Sequence, residues 1–275
     1  MANTKLDVLI FWQDDSIDEN CLKNVERELK EAQGDKLYLV IHTNGGDPFS
    51  AVRIMRIIHE KYKEIIALVP SHAMSAGTLM ALGANEIYMQ HKSMLGPLDL
   101  PMEHPQDGSS ISALDFKNTI TTVSALSDSI AVERYGYIRK KFRIGKKEAA
   151  KLALDTATEF VRPIVDQVDP YHLQRAQREL KIGWFYAYDL LRARMMKDRA
   201  GRAWDTAKTL VNSFPSHDYG IFSDDATNML NLTIKKLDDL PEWQSIKPVY
   251  DIIDSKGVDS IQRKEIEHAS KTTTK

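Results

Sequence analysis

Ser75 is the residue of this chain with the clearest capacity for covalent chemistry. It stands between an apolar run over 65–69, typical of a buried strand, and a predicted buried helix over 76–82. At such a junction the free N–H groups and the positive dipole end of the helix can hold a developing oxyanion. A serine hydroxyl becomes a nucleophile only when a base takes its proton. The alternative role for Ser75 is helix N-capping, for which serine is commonly used.

Two adjacent glycines mark a second place where backbone can approach a substrate. The apolar run over 37–43 is predicted to be a strand, and it leads directly into Asn44, Gly45, Gly46 and Asp47. Glycine lets the chain turn sharply and leaves no side chain in the way of a bound group. The Gly45-Gly46 turn is therefore a candidate part of the same site, and it is equally compatible with a plain strand-to-helix turn.

The elements predicted around these residues place both at one edge of a sheet. Apolar strands alternate with amphipathic helices through the first hundred residues, which favours a mostly parallel sheet with flanking helices. Ligands of such sheets bind beyond the carboxyl ends of the strands, where Ser75 and the glycine turn both fall. The chain is then divided into an α/β core over 1–112, a helical part of the same domain over 113–240, and a partly disordered tail over 241–275.

Composition excludes several classes of function. The net charge of −2 argues against nucleic acid as a partner. One cysteine, Cys21, allows no intrachain disulfide and suits a reducing compartment. The absence of a long apolar run predicts a cytoplasmic protein without an integral membrane segment. The histidines are scattered along the sequence, so neither a metal site nor a cofactor is expected.

Four motifs, at residues 42–46, 73–78, 82–87 and 95–99, resemble in their order and spacing those of a known superfamily. The chain is similar to the Clp protease/crotonase superfold, and most similar to its serine dehydrogenase proteinase and signal-peptide-peptidase-type branch. The resemblance implies a Clp/crotonase-like α/β fold of repeated ββα-type units, with a helical C-terminal extension.

The resemblance assigns roles to individual residues. It implies that Ser75 is the nucleophile and that backbone N–H groups of the Gly45-Gly46 turn and of Ala76 form the oxyanion hole. The histidine that Clp-type enzymes carry about two dozen residues after the serine is missing here. Signal-peptide-peptidase-type enzymes use a later lysine as general base instead, and Lys117 matches that lysine.

A histidine provides an alternative base. His217 and Asp218 are adjacent in a predicted turn, where an imidazole and an orienting carboxylate could act together. Neighbouring residues seldom point at one another, and Asp218 is equally suited to capping the turn. The sequence leaves the choice between Lys117 and His217 open.

Together the residues and the resemblance predict an ATP-independent serine peptidase with a Ser75–Lys117 dyad. We expect its substrates to be peptides or unfolded proteins, and we expect it to form a homo-oligomer. Two alternatives stay open. One is a crotonase-like enzyme acting on acyl-CoA thioesters, which would share the fold and the oxyanion hole. The other is a non-catalytic assembly or binding protein built on a protease fold.

Overall fold

A computed structural model describes residues 3–32, 34–99, 101–103, 108 and 110–269. The chain divides into two compact units. The first unit comprises the described residues of Met1–Asp99 and Ile182–Lys275, and the second comprises those of Leu100–Lys181. The predicted division into a core over 1–112, a helical part over 113–240 and a tail over 241–275 stays a prediction.

The strands form one series that ends at Ser112, followed by three further strands near the end of the described chain. They are β1 (Asn3–Gln13), β2 (Gly34–Thr43), β3 (Tyr62–Val69), β4 (His72–Ala73), β5 (Glu86–Met89), β6 (Met94–Leu95), β7 (Pro101–Glu103), β8 (Ser110–Ser112), β9 (Ile221–Phe222), β10 (Ile234–Lys236) and β11 (Ser260–Ala269).

The helices alternate with the early strands and dominate the middle of the chain. They are α1 (Glu19–Glu28), α2 (Pro48–Lys61), α3 (Ala76–Leu82), α4 (Ala113–Phe142), α5 (Lys146–Val165), α6 (Pro170–Ala193), α7 (Ala200–Asn212), α8 (Ser223–Asn228) and α9 (Trp243–Asp254), with a 3₁₀ turn at Leu237–Asp239.

One sheet runs through the first unit in the order β10-β5-β3-β2-β4-β6-β9, and β1 joins it beside β2. Its strand pairs are parallel except where β11 meets β1 and where β9 meets β6. The mostly parallel α/β sheet and the helical region that follows it confirm the predicted fold class. Parallel strands bring their carboxyl ends to one edge, where the candidate site lies.

Local sequence explains how α2 and α3 start at that edge. The Asp47 side chain accepts hydrogen bonds from the N–H groups of Phe49 and Ser50, and Pro48 occupies the first turn of α2. α3 is buried along its whole length. Both helices therefore begin where a strand of the sheet ends, and this fixes the turns that carry Gly45 and Ser75.

The segment predicted as a C-terminal tail contains α9 and β11. β11 pairs with β1 along nearly its whole length, and Arg263 binds Asp7 of β1 at 2.8 Å. α9 contributes Trp243, Ile246, Tyr250 and Ile253 to the core that covers β1, β2 and β3. The strand is hard to recognise in the sequence because charged residues dominate it and few of its side chains are buried.

The second unit contains the β7–β8 hairpin and the long antiparallel helices α4 and α5. Small side chains of α5 (Ala149, Ala153 and Ala157) are buried. Large apolar side chains of the same two helices are exposed, including Val132 at 74% and Phe160 at 63%. Across the described part of the chain, no helix combines the length and the apolar character that crossing a bilayer requires.

Candidate active site

Ser75 occupies a strained turn between β4 and α3. Its backbone φ of 48° and ψ of −111° lie in a region that a non-glycine residue seldom adopts. It stands at the N-cap position of α3, yet its side chain makes no capping hydrogen bond. The structural alternative of an N-cap hydroxyl is therefore not realised. Backbone strain of this kind is typical of functional sites. Here the strained turn places the Ser75 side chain just after the carboxyl end of β4.

The glycine turn after β2 lies directly against Ser75. Gly45 has a φ of 109°, and a Cβ there would lie 2.9 Å from both the Ser75 Cβ and the Met74 carbonyl oxygen. The Gly45 N–H donates to the Thr43 hydroxyl at 3.1 Å. Among the two glycines, Gly46 is therefore the better candidate oxyanion donor, because the N–H of Gly45 is already engaged.

The Gly46 side of the turn is held by a short bridge to the loop before α1. The Ile17 N–H donates to the Gly45 carbonyl, and the Asp47 N–H donates to the Ile17 carbonyl, both at 2.8 Å. A Cβ on Gly46 would lie 2.2 Å from the Ile17 nitrogen. This position therefore accepts only glycine, and the direction of its N–H group is fixed by the surrounding backbone.

A buried threonine ties the start of α3 to the strand on its other side. Thr78 Oγ1 accepts from the Gly96 N–H at 2.8 Å. The same hydroxyl lies 2.8 Å from the Ala73 carbonyl oxygen and 2.9 Å from that of Gly96, and it donates to one of them. Gly96 in turn approaches Ser75 so closely that a Cβ would lie 2.8 Å from the Ser75 nitrogen. We call Thr43–Gly46, Ala73–Thr78 and Gly96 together the Ser75 corner.

An aspartate–histidine pair lies next to the pairing of β6 with β9. His217 Nδ1 lies 3.1 Å from Asp99 Oδ1, and the Asp99 side chain is buried. The antiparallel register explains the pairing, since Leu95 of β6 lies opposite Ile221 of β9, Asp99 lies four residues after Leu95 and His217 lies four residues before Ile221. The hydrogen bond that His217 makes to the Asp99 carboxylate raises the pKa of His217. The sequence offers Asp218 as one possible orienting carboxylate for His217, and in the structure the carboxylate that contacts His217 Nδ1 is that of Asp99.

Lys117 lies in the first two turns of α4, in the second unit. The Ser112 side chain caps this helix by accepting from the N–H groups of Leu114 and Asp115. The Lys117 side chain is half-buried. Its role as a base stays a prediction.

Two histidines that are distant in sequence meet at the ends of β2 and β4. Ligand atoms of His42, His72 and Asp14 all lie within 4.8 Å of one another. His42 is buried, His72 is half-buried and Asp14 is exposed. Burial lowers the pKa of both imidazoles and so favours their neutral forms. The sequence, in which these histidines are scattered, gives no sign of this cluster.

The central segment of the chain carries the family signature. Residues 11–126 match the ClpP-like SDH-type serine proteinases. This match contains the whole Ser75 corner, Asp99 and Lys117, and it confirms the resemblance inferred from the motifs. His217, by contrast, lies outside the residues matched by this family.

Individual relatives cover only part of the chain. An uncharacterized protein of Methanocaldococcus jannaschii is 29% identical over 140 residues, which make up 48% of this chain and 49% of that protein. The chain therefore spans about half the length of this relative.

Two solved structures of a 1510-N membrane-bound stomatin-specific protease are also similar. One is a serine-to-alanine mutant, 19% identical, covering 54% of this chain and 70% of that chain with a TM-score of 0.35. The other is a lysine-to-alanine mutant in complex with a substrate peptide, 21% identical, covering 54% and 65% with a TM-score of 0.35.

Proposed function

We propose that this protein is an ATP-independent serine peptidase whose nucleophile is Ser75. The observation that carries the proposal is the strained backbone of Ser75, packed directly against the glycine turn of β2. Strain of this kind persists only where the surrounding structure imposes it. The match of residues 11–126 with serine proteinases supports the peptide bond as the target.

The chemistry follows from the groups in the Ser75 corner. A base takes the Ser75 hydroxyl proton while Oγ attacks the peptide carbonyl carbon, and the carbonyl π electrons move onto oxygen. The N–H groups of Gly46 and Ala76 are the donors proposed for that oxyanion. The protonated base then gives its proton to the departing amine, and a water molecule hydrolyses the acyl-enzyme by the same steps in reverse.

We propose Lys117 as the general base, on the strength of the family resemblance and its half-buried position. Lysine serves as a base only as the neutral amine. In this arrangement the Asp99–His217 pair has a structural role, joining the segment after β6 to the segment before β9.

The Asp99–His217 hydrogen bond also favours a second candidate for the base. Asp99 accepts from Nδ1–H of His217, and this leaves Nε2 as the atom that could take a proton, as in a Ser-His-Asp triad. His217 belongs to the same unit as Ser75. The two candidates predict opposite results when each side chain is replaced alone.

Self-association is a further part of the proposal. The exposed apolar side chains of α4 and α5 form a surface suited to a second copy of the chain. Sedimentation velocity of the intact chain should show a homo-oligomer, and a purely monomeric boundary at all concentrations would contradict this. We also propose a cytoplasmic location, which suits the buried Cys21, whose thiol pKa is raised to about 11 by burial.

Replacement of the nucleophile tests the activity. Ser75→Ala should lower kcat for an unfolded protein substrate by about 10³-fold or more, since no other group supplies the attacking oxygen. Ser213→Ala, which removes an exposed hydroxyl in the same unit, is the matched control and should keep full activity. Coenzyme A thioester turnover that survives in Ser75→Ala would favour the crotonase-like alternative. Absence of any hydrolysis by the wild type would favour a binding protein.

A further inference from the structure

The cluster of Asp14, His42 and His72 is built by the register of three neighbouring parallel strands. Thr43 lies opposite Ala73, so His42 of β2 and His72 of β4 lie side by side. Gln13 of β1 lies opposite Thr43, and Asp14 follows it. His42 is the next-to-last residue of β2, Asp14 directly follows β1 and His72 begins the two-residue strand β4, so the strand register brings the three side chains together.

In both histidines, a hydrogen bond to Nδ1 leaves Nε2 available to the cluster. His42 Nδ1 lies 2.9 Å from the Tyr250 hydroxyl and 3.4 Å from Asp254 Oδ1. His72 Nδ1 lies 3.0 Å from the Ser71 hydroxyl. With Nδ1 of each ring engaged in this way, Nε2 is the nitrogen that can act as a ligand.

The partners of His42 form a supporting network of their own. Asp254 Oδ1 also accepts from the Trp12 indole N–H at 2.9 Å and from the Tyr250 hydroxyl at 3.2 Å. A carboxylate behind a histidine, held by further hydrogen bonds, is the arrangement that orients metal-binding imidazoles in proteins. The Trp12 ring packs on His42 with centroids 4.7 Å apart and shields one side of the imidazole.

One nitrogen of the cluster makes no hydrogen bond within the described part of the chain. His72 Nε2 is buried and has no hydrogen-bond partner among the described residues. A buried polar nitrogen without a partner costs free energy, and most such groups in proteins are satisfied. Asp14 is held beside it by Asn44, whose Nδ2 donates to Asp14 Oδ1 at 2.8 Å.

We propose that Asp14, His42 and His72 bind a divalent transition-metal ion of the zinc type. Two imidazoles and one carboxylate form a ligand set that suits Zn²⁺ and leaves a fourth position for water. Metal–ligand bonds of about 2.0–2.2 Å require ligand atoms to be about 3–4 Å apart. The ligand atoms here lie within 4.8 Å of one another, so binding requires side-chain rotations that close the remaining gap. The ion joins the ends of β1, β2 and β4, and it is independent of the proposed peptidase chemistry.

Titration of the tag-free, metal-stripped chain with Zn²⁺ tests the site. Isothermal calorimetry should show one Zn²⁺ per chain, and Zn²⁺ should raise the Tm. Asp14→Asn and His72→Gln should each weaken binding by more than about 100-fold, because each removes a ligand. Tyr250→Phe, which removes only the hydroxyl bound to His42, should weaken binding by about 10-fold.

A matched control separates this site from surface histidines in general. His91 is exposed and lies outside the cluster, so His91→Ala should bind Zn²⁺ like the wild type. Substitution with Co²⁺ gives a second readout, since its visible d–d bands should appear in the wild type and vanish in His72→Gln. Absence of saturable binding would overturn the proposal. So would unchanged affinity and an unchanged Co²⁺ spectrum in properly folded Asp14→Asn and His72→Gln.

Discussion

The Ser75 corner and the segments that carry its candidate proton acceptors are built differently. The corner consists of backbone turns held by β2, β4 and β6, where glycines and a buried threonine leave almost no freedom. The candidate acceptors are single side chains: His217 in a turn between α7 and β9 of the first unit, and Lys117 on α4 of the second unit. The proposed oxyanion donors are thus backbone groups fixed by the turns of the corner, whereas the proposed base is a side chain supplied by a separate segment.

The largest expected loss of activity comes from replacing the proposed general base. Lys117→Ala should lower kcat by about 10²–10⁴-fold, the usual contribution of a general base, while His217→Ala should change kcat far less. Steady-state kinetics on an unfolded protein substrate measures both.

Lys117→Arg makes the test of the base specific. Arginine keeps the positive charge but cannot act as a neutral amine, so this variant should be as inactive as Lys117→Ala. Recovery of activity in Lys117→Arg would assign Lys117 a structural role. A large loss in His217→Ala, with little change in Lys117→Ala, would move the base to the Asp99–His217 pair.

The second largest effect is expected from adding a side chain to the rigid backbone of the Ser75 corner. Gly45→Ala should lower the free energy of unfolding by about 1–3 kcal/mol, because the φ of 109° and the contact at 2.9 Å with Ser75 both oppose a Cβ. Activity should fall with it, since the turn beside Ser75 must shift. Urea unfolding and kinetics of the purified variant measure the two losses.

Gly136→Ala is the control with the opposite expected sign. Gly136 lies in the interior of α4 with no atom within 4 Å of an added Cβ. Alanine there should stabilise the chain by about 0.5–1 kcal/mol and leave kcat unchanged. If Gly45→Ala were tolerated equally well, the corner would not be rigid in the way described.

The smallest effect concerns the Asp99–His217 pair. Asp99 raises the pKa of His217, so the pair stabilises the folded chain most below about pH 6.5, the ordinary histidine value. This contribution is lost as the pH rises through the raised pKa of the folded state. The stability difference between wild type and Asp99→Asn should therefore shrink from about pH 5.5 to about pH 8.5 in urea unfolding. A difference independent of pH would show that the pair is not coupled.

Elements that depend on a local pattern of residues are predicted well from the sequence. The strand before Ser75, the glycine turn and the short buried helix over 76–82 are all readable from apolar periodicity and from glycine, and the structure places them as predicted. Parallel topology follows from the alternation of strands and helices. The position of Ser75, the candidate nucleophile, is likewise set by the elements immediately before and after it.

What the sequence does not show depends on register between distant segments. Asp99 and His217 are 118 residues apart and meet only because β6 and β9 pair. His42 and His72 meet only because β2 and β4 are neighbours. β11 joins β1 from the far end of the chain, and its charged sequence gives little apolar alternation. No single stretch of sequence contains these contacts.

Covalent labelling of the wild type with a fluorophosphonate probe, followed by mass spectrometry of the digested protein, shows directly whether Ser75 is the nucleophile. We expect one adduct, located on Ser75, that is absent from Ser75→Ala and present in Ser213→Ala. An adduct on another serine, or no adduct on a folded protein, would contradict the assignment of Ser75 as the nucleophile.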